Sequence, residues 1–152
     1  MATNQPLIVL GATESDAHVV SLYVIAMALV ERGYDVINLS CCNETSAFFH
    51  VWQNKAPPLA IVIANQNGCA LADLRDLGEL KRRHAPGIPV VLGGHYFVGC
   101  TPSDEIDAQL YTLGVTCIAN SPAALMAYLA TLPRSEPQQD THADASREAC
   151  VR

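Results

Sequence analysis

Short apolar runs alternate with longer amphipathic segments along most of the chain, and this alternation predicts the fold. The apolar runs are rich in β-branched residues and are predicted to be strands at 7–10, 35–39, 59–64, 88–92 and 115–118. The segments that follow them are predicted to be helices at 17–32, 45–55, 71–84, 103–113 and 122–132. Strands that are apolar throughout are typical of a parallel sheet covered by helices. The strict alternation therefore predicts a doubly wound α/β fold with helices on both faces.

The number of strands also favours one strand order. Five strands in a domain of this length fit a flavodoxin-like (Rossmann-like) parallel sheet with the order 2-1-3-4-5. Capping residues agree with the predicted boundaries: Gly33 stands as a C-cap, and Ser103 and Ser121 stand as N-caps. In such sheets ligands bind beyond the carboxyl ends of the strands, close to the switch between strands one and three. The loops at that edge are 11–16, 65–69 and 93–99.

Length and composition set the domain organisation. The 152 residues predict a single domain, which the pattern places at 1–132. Residues 133–152 are polar without a strong period, and we expect them to form a disordered tail. Half of the residues are apolar, which is enough for a core and excludes global disorder. Because the formal net charge is −6 and Lys and Arg number only nine, nucleic-acid binding is not expected.

Membrane insertion and secretion are not expected either. The longest apolar run, 17–30, is interrupted by His18 and Ser21 and is shorter than the roughly 20 residues that a spanning helix needs. The N-terminus has no basic region of the kind that begins a signal peptide. We therefore expect a cytoplasmic protein.

Six cysteines stand in the chain, and none of them forms a C-x-x-C pattern. Their spacing and the apolar core argue against a disulfide framework, so we expect unpaired thiols that are buried as small apolar side chains. The neighbours Cys41 and Cys42 leave redox or metal chemistry open as an alternative for this pair.

Two common ligand classes of this fold lack their motifs here. The loop at 11–18 is neither G-x-G-x-x-G nor a P-loop, and its acidic residues Glu14 and Asp16 would repel a phosphate. Flavin and nucleotide binding are therefore disfavoured. A phosphorylated receiver domain needs an Asp at the end of strand three, but that strand ends in Ala64 and Asn65.

Asp16 and His18 form the pattern that carries chemistry in the first loop. An Asp two residues before a His can hold one ring nitrogen by a hydrogen bond and leave the other free for a metal. One His cannot hold zinc, which needs three or four protein ligands, but it can serve as an axial ligand to a metal held by a macrocycle. The alternative is structural: Ser15 or Asp16 caps the following helix beside a partly buried His.

Polar and glycine residues follow strands three and four at the same edge. Strand three runs into Asn65-Gln-Asn-Gly68, and strand four runs into Gly93-Gly94-His95. Glycines without side chains would let a flat group approach the sheet edge, although a tight turn would explain them as well. His95 is either a second histidine of the site or a solvated loop residue.

These three features together resemble the cobalamin-binding domain family, whose marker is D-x-H-x-x-G, then S-x-L, then G-G. Within that family the chain most resembles the small (sigma) subunits of glutamate mutase, also called methylaspartate mutase. The likeness rests on segments 8–18, 33–39 and 91–99 and, through the order of elements, covers 7–132. The sigma subunit is also a separate chain of this size.

The resemblance implies a cofactor site for adenosylcobalamin. His18 would bind cobalt in place of the cofactor's own dimethylbenzimidazole, and Asp16 would hydrogen-bond the other ring nitrogen of His18. The displaced nucleotide tail would enter a slot between the sheet and the first helix, with Asn65 and Gly68 on one side and the two glycines of strand four on the other. The residues implied to touch the cofactor are Ser15, Asp16, Ala17, His18, Val19, Ser21, Asn65, Asn67, Gly68, Gly93, Gly94 and His95.

The chain departs from the marker within the tail slot. Ser21 stands where the marker has Gly, and Asn65 and Asn67 stand where it has Ser and Leu. Asn65 can still hydrogen-bond the tail, whereas the side chain of Ser21 narrows the slot.

By resemblance the chain is the cofactor-binding subunit of a mutase that converts glutamate into 3-methylaspartate. It would be inactive alone, because a larger TIM-barrel (epsilon-type) subunit would bind the substrate. Two alternatives remain: a corrinoid carrier for methyl transfer, or a non-catalytic interaction or regulatory module that kept the fold without the cofactor.

Overall fold

A computed structural model of the chain describes residues 5–101 and 103–134. Within these residues five parallel strands form one sheet with the order β2-β1-β3-β4-β5, which confirms the predicted flavodoxin-like topology. The strands are β1 (Leu7–Ala12), β2 (Asp35–Asn38), β3 (Ala60–Ala64), β4 (Val90–Gly93) and β5 (Cys117–Ala119). The helices are α1 (Val20–Glu31), α2 (Ala47–His50), α3 (Ala70–Asp73), α4 (Leu77–His84), α5 (Ser103–Leu113) and α6 (Pro122–Thr131).

Two apolar cores lie on opposite faces of the sheet, as the apolar strands predict. Successive strand side chains point to opposite faces, so Ile8 and Leu10 enter the core beneath α1 and α6, whereas Val9 enters the core beneath α2 to α5. The central strand β3 is buried along its whole length. Because both faces are covered, the carboxyl edge of the strands is the surface left for a ligand.

The capping predictions are mostly confirmed. Gly33 has φ +80° and follows α1 in a Schellman motif, with the Gly33 amide donating to the Val30 carbonyl and the Tyr34 amide donating to the Leu29 carbonyl. The Ser121 hydroxyl accepts a hydrogen bond from the Ala124 amide at the start of α6. The predicted bounds 103–113 match those of α5, and the N-cap role of Ser103 stays a prediction.

The predicted helix at 71–84 is divided into α3 and α4, and the reason lies outside the helix. The Thr45 hydroxyl donates to the Asp73 carbonyl at 2.9 Å, so this carbonyl is occupied by a side chain from another segment. The Leu77 amide, which would bind that carbonyl in a continuous helix, donates to the Leu74 carbonyl instead. A tertiary contact of this kind has no local sequence signal.

The helix predicted at 45–55 is also shorter than expected and remains helical only in α2. Beyond it the Gln53 amide donates to the His50 carbonyl and the Lys55 amide donates to the Trp52 carbonyl. These bonds span three residues rather than four, so the segment continues as tight turns.

The five described cysteines are unpaired, but the expectation that they are buried is wrong. Cys42, Cys69 and Cys100 are exposed, and Cys41 and Cys117 are half-buried. The exposed thiols lie in the loops after β2, β3 and β4, where the surface rather than the core determines their surroundings. The sixth, Cys150, lies outside the described residues.

The predicted tail at 133–152 falls almost wholly outside the described residues. Its first part is described, and the guanidinium of Arg134 lies 4.8 Å from the centre of the Tyr34 ring. Among the described residues, no helix is both long enough and apolar enough to cross a bilayer.

Candidate functional site

Asp16 and His18 lie in the loop that connects β1 to α1, at the carboxyl edge of the sheet. Asp16 Oδ1 accepts a hydrogen bond from the His18 amide at 3.1 Å and lies 2.6 Å from His18 Nδ1. The carboxylate is fully buried, whereas the His18 side chain is 63% exposed. Since the carboxylate holds Nδ1, Nε2 lies on the other side of the mostly exposed ring, and no described residue hydrogen-bonds that nitrogen. Nε2 is thus oriented as a free electron-pair donor.

The carboxylate itself is fixed by the neighbouring loops. Asp16 Oδ2 accepts a hydrogen bond from the Gln66 amide at 2.8 Å, and the Asp16 carbonyl accepts one from the Cys42 amide at 3.0 Å. A short Asp side chain can bind the backbone two residues on, and this local bond explains why α1 begins at Val20 rather than at residue 17 as predicted. The loops after β1, β2 and β3 therefore meet at Asp16.

Asn65 follows β3 directly and is fully buried within the protein's own hydrogen-bond network. Its Nδ2 donates to the Thr13 hydroxyl at 2.7 Å and to Asn67 Oδ1 at 2.9 Å, and its Oδ1 accepts from the Gly68 amide at 2.9 Å. Both of its side-chain donors are occupied. Asn65 thus organises the loop after β3.

Asn67 and Asp73 tie the loop after β3 to the loop that carries His18. Asn67 Nδ2 donates to the Ser15 carbonyl and to the Ser15 hydroxyl, each at 2.8 Å. The Ser15 hydroxyl in turn donates to Asp73 Oδ2 at 2.6 Å. The polar residue that replaces the marker's Leu therefore holds the backbone immediately before Asp16.

A cavity of about 360 Å³ lies beside this loop, between α1, the sheet and the start of α6. Its lining residues are Leu10, Ser21, Val24, Ile25, Val62, Ile63, Ala64, Gln66, Val91, Gly93, Gly94, His95, Ala119, Asn120, Ser121, Pro122 and Leu125. The walls are mostly apolar, and the volume falls within the roughly 300–1,000 Å³ of small-molecule sites. No Lys or Arg of the described residues lines it. The cavity lies where the resemblance places the nucleotide tail.

Four predicted site residues line the cavity: Ser21, Gly93, Gly94 and His95. Ser15, Asp16 and His18 belong to the adjoining loop, with the exposed Ala17 and the half-buried Val19 on either side of His18. Asn65, Asn67 and Gly68 support the loop after β3, and Gln66 of that loop lines the cavity.

The Ser21 hydroxyl is the buried polar side-chain group of the described cavity wall that has no partner within the protein. Its Oγ is buried and has no hydrogen-bond partner, alone among the side-chain oxygen and nitrogen atoms of the described residues. A Ser inside a helix usually bonds the carbonyl three or four residues before it, and this one does not. A buried polar atom without a partner costs about 1–3 kcal/mol.

Internal packing accounts for two of the predicted site glycines. Gly94 has φ +102°, and a Cβ at this position would lie 2.3 Å from the Asn65 carbonyl oxygen. Gly68 has φ +82°, and a Cβ there would lie 1.7 Å from Val98 Cγ2. Both positions require glycine whether or not a ligand is bound. The alternative of a tight turn at Gly94 is therefore sufficient to explain its sequence.

Hydrogen bonds to other segments hold two consecutive residues of the loop after β4, His95 and Tyr96. The His95 amide donates to Gln66 Oε1 at 3.2 Å, and the Tyr96 hydroxyl donates to Asp107 Oδ1 at 2.8 Å. Burial raises the pKa of Tyr96 to about 12, and the hydrogen bond to the Asp107 carboxylate adds to the rise. The exposed His95 ring therefore stands on an anchored backbone at the cavity mouth.

The Cys41–Cys42 pair lies in the loop after β2, next to Asp16. The Cys42 thiol lies 3.7 Å from the Asp16 carbonyl oxygen, and its pKa is raised, chiefly by its hydrogen bond with Cys41 and then by burial. A raised pKa keeps the thiol protonated at neutral pH, which opposes nucleophilic and metal-binding roles. No group of three or more His, Cys, Asp or Glu side chains in the described part of the chain could hold a metal ion.

The arrangement fits one kind of metal group. His18 offers a single nitrogen donor, so any metal it binds must bring its other ligands with it, as a metal in a macrocycle does. A flat macrocycle lying on this edge could also place a side arm in the adjacent cavity, where Ser21 lacks a partner. The donor set, the cavity and the unsatisfied hydroxyl thus agree with a corrinoid.

Sequence reasoning missed the contribution of β5 and α6 to the cavity. Asn120, Ser121 and Pro122 line it because β5 ends at the same sheet edge as β1, β3 and β4. The predicted strand order contained this signal. Nothing in the sequence indicated that Gln66 holds Asp16, because the bond comes from the backbone amide, which every residue except proline has.

Comparison with known proteins gives a family model and distant relatives that match most of the chain. The family model described as "B12 binding domain" matches residues 6–117. Glutamate mutase sigma subunit 2 of Haloarcula marismortui is 25% identical over 114 residues, which cover 75% of this chain and 76% of the relative.

Solved structures show the same fold. A novel cobalamin-binding protein from Desulfitobacterium hafniense DCB-2 has a TM-score of 0.67 at 15% identity, over 83% of this chain and 58% of that one. The methanol:cobalamin methyltransferase complex of Methanosarcina barkeri has a TM-score of 0.59 at 19% identity, over 82% of this chain and 46% of that one. This chain therefore spans about half the length of those two proteins, and at such identities the likeness concerns the fold alone.

Proposed function

Because the chain belongs to the B12-binding domain family, we propose that it is the adenosylcobalamin-binding subunit of a carbon-skeleton mutase of the glutamate mutase type. The observation that carries the proposal is the Asp16–His18 pair, whose buried carboxylate turns Nε2 of the histidine outwards beside an apolar cavity. The relatives named as glutamate mutase sigma subunits support the choice of reaction.

The first task of the chain is to hold the cofactor in a defined orientation. His18 Nε2 would bind cobalt, and Asp16 would fix the tautomer and raise the basicity of the ring through its hydrogen bond to Nδ1. Asp16 is itself fixed by the Gln66 amide, so the ligand is positioned before the cofactor arrives. This order reduces the entropy that binding must overcome.

The second task is to take up the displaced nucleotide tail. The cavity between α1 and the sheet would receive it, with apolar walls from β1, β3 and β4 and with Ser21 on α1. When bound, adenosylcobalamin supplies the radical chemistry of the rearrangement. The chain itself contributes binding, orientation and exclusion of water from the lower face of the corrin.

Substrate binding would belong to a larger partner subunit, which family resemblance describes as a TIM barrel. A substrate with two carboxylates needs cationic groups, and no described Lys or Arg lines the cavity. The surface also supports a partner: α1 exposes an apolar row made of Val20, Tyr23, Val24, Met27 and Val30. We therefore expect the isolated chain to lack mutase activity.

A visible-absorption titration with adenosylcobalamin tests the proposal. The wild-type chain should shift the spectrum to that of a corrinoid whose own base has left cobalt and whose lower ligand is a histidine. His18→Ala should abolish this spectrum. His50→Ala is the matched control, since it removes an exposed histidine that does not line the cavity and should leave the spectrum unchanged.

Mutase activity, measured after mixing the chain with a glutamate mutase large subunit, distinguishes the proposed function from the methyl carrier and the non-catalytic module. Conversion of glutamate to 3-methylaspartate by the mixture, but by neither protein alone, is the expected result. Tight corrinoid binding without mutase activity would favour the methyl carrier. Failure to bind adenosylcobalamin or methylcobalamin, with or without the large subunit, would leave the non-catalytic module and refute the proposal.

A further inference from the structure

The wall of the cavity between α1 and the sheet differs from the family marker in the positions of its hydroxyl groups. By the resemblance, the family marker has Ser just after β3 and Gly in α1, whereas this chain has Asn65 and Ser21 at those positions. Both donors of the Asn65 amide are held by Thr13 and Asn67, so Asn65 has no donor left for a ligand. Ser21 lines the cavity, and its hydroxyl oxygen is buried without a hydrogen-bond partner. The buried donor without a partner therefore lies on α1.

The proposed cofactor brings an acceptor in the complementary state. When a histidine replaces the heteroaromatic base below cobalt, the base nitrogen that had bound the metal regains a free lone pair. If this nitrogen enters an apolar cavity without a donor, it remains unsatisfied at a cost of about 1–3 kcal/mol. The protein thus holds a buried donor without an acceptor, and the ligand holds an acceptor that has lost its partner.

We propose that the Ser21 hydroxyl donates a hydrogen bond to the ring nitrogen of the lower base that His18 displaces from cobalt. Ser21 is then a specificity-determining residue: it favours cobamides whose lower base is a heteroaromatic ring with such a nitrogen over cobamides whose lower base is a phenol. This inference rests on the proposed function, because it assigns a partner to one residue of the same slot.

Two corrinoids and two protein variants test the inference as a thermodynamic cycle. The corrinoids are adenosylcobalamin and an adenosylcobamide with a phenolic lower base, which has no ring nitrogen. Ser21→Ala removes the hydroxyl alone, and Ser103→Ala removes a hydroxyl outside the cavity as a matched control. Dissociation constants are measured by visible-absorption titration.

Ser21→Ala should weaken the binding of adenosylcobalamin about tenfold and leave the binding of the phenolic cobamide within about twofold of wild type. Ser103→Ala should change neither constant. A loss of affinity that is equal for both corrinoids would overturn the inference, because it would show a general packing effect. No loss for either corrinoid would overturn it as well.

A readout on the free protein tests the premise without any cofactor. Since Ser21 Oγ is unsatisfied, Ser21→Ala should be as stable as wild type or more stable in urea denaturation. A clear loss of stability would show a protein partner for the hydroxyl and would overturn the inference. If wild type binds neither corrinoid, the proposed function fails and takes this inference with it. If wild type binds adenosylcobalamin but Ser21→Ala changes the affinity for both corrinoids equally, only the inference is refuted and the proposed function stands.

Discussion

Replacing Asp16 by Asn tests how much of the site depends on one buried carboxylate. The two carboxylate oxygens face three N–H groups: the His18 amide at 3.1 Å, His18 Nδ1 at 2.6 Å and the Gln66 amide at 2.8 Å. An Asn side chain has one oxygen and one NH2 group, so it can accept on only one side. If the oxygen stays towards His18, the NH2 group meets the Gln66 amide, and two donors face each other.

The expected loss of stability follows from this count. A donor left without an acceptor costs about 1–3 kcal/mol, and a hydrogen bond to a charged group contributes about 1.5–3 kcal/mol. The neutral side chain also loses less hydration on burial, which offsets part of the loss. We expect Asp16→Asn to lower the free energy of unfolding by about 2 kcal/mol and the Tm by about 5–10 °C.

Asp76→Asn is the matched control for this substitution. Asp76 is exposed, and its nearest cation, Arg75, lies at 3.8 Å, so the ion pair contributes little. Asn is also as good as Asp at the start of a helix, where Asp76 precedes α4. Urea and thermal denaturation followed by circular dichroism measure both variants. If Asp16→Asn is as stable as Asp76→Asn within about 0.5 kcal/mol, the carboxylate does not hold the loop and the reasoning is refuted.

Asp16→Asn should also weaken corrinoid binding about 10- to 100-fold, because removing the hydrogen-bond partner of a metal-binding histidine typically costs this much affinity. Unchanged affinity would show that His18 orients itself without the carboxylate.

Three further predictions follow from the supports of the site. Asn67→Ala should lower stability by about 1 kcal/mol and speed hydrogen exchange around Ser15, since its two hydrogen bonds to Ser15 are lost; unchanged exchange there would refute the tether. Gly94→Ala should cost more than about 2 kcal/mol in urea denaturation, because φ is +102° and the new Cβ would meet a carbonyl oxygen; near-neutral stability would show that the turn can relax. Between about pH 10 and 12 the folded Tyr96 stays protonated while the unfolded side chain ionises, so stability should fall as pH rises through this window. Tyr96→Phe should flatten that fall, and an unchanged pH dependence would contradict the raised pKa of Tyr96 in the folded protein.

The sheet was predictable because its signals are local and repeated. The strands β1, β3 and β4 are apolar along their length, and helix ends such as Gly33 carry residues with specific backbone preferences. The pairing of Asp16 with His18 was also predictable, because a spacing of two residues lets an Asp side chain reach a neighbouring backbone amide and ring.

The features that escaped prediction depend on contacts between distant segments. The break after α3 arises from Thr45, which occupies the Asp73 carbonyl. The hydrogen bond from the Asn65 amide to Thr13, a residue that follows another strand, was likewise not predicted. Composition and spacing do not encode which of two polar groups a buried side chain will bind, so such roles become visible only in three dimensions.

The central claim is that the nitrogen bound to cobalt comes from His18. Electron paramagnetic resonance of cob(II)alamin bound to uniformly ¹⁵N-labelled protein tests it directly, because a ¹⁴N ligand splits each cobalt line into three and a ¹⁵N ligand splits it into two. The account predicts doublets with labelled wild-type protein and triplets with unlabelled wild-type protein. Labelled His18→Ala should show no doublets, because the protein nitrogen that binds cobalt is gone. Triplets from the labelled wild-type complex would show that the cofactor's own base remains on cobalt and would contradict the account.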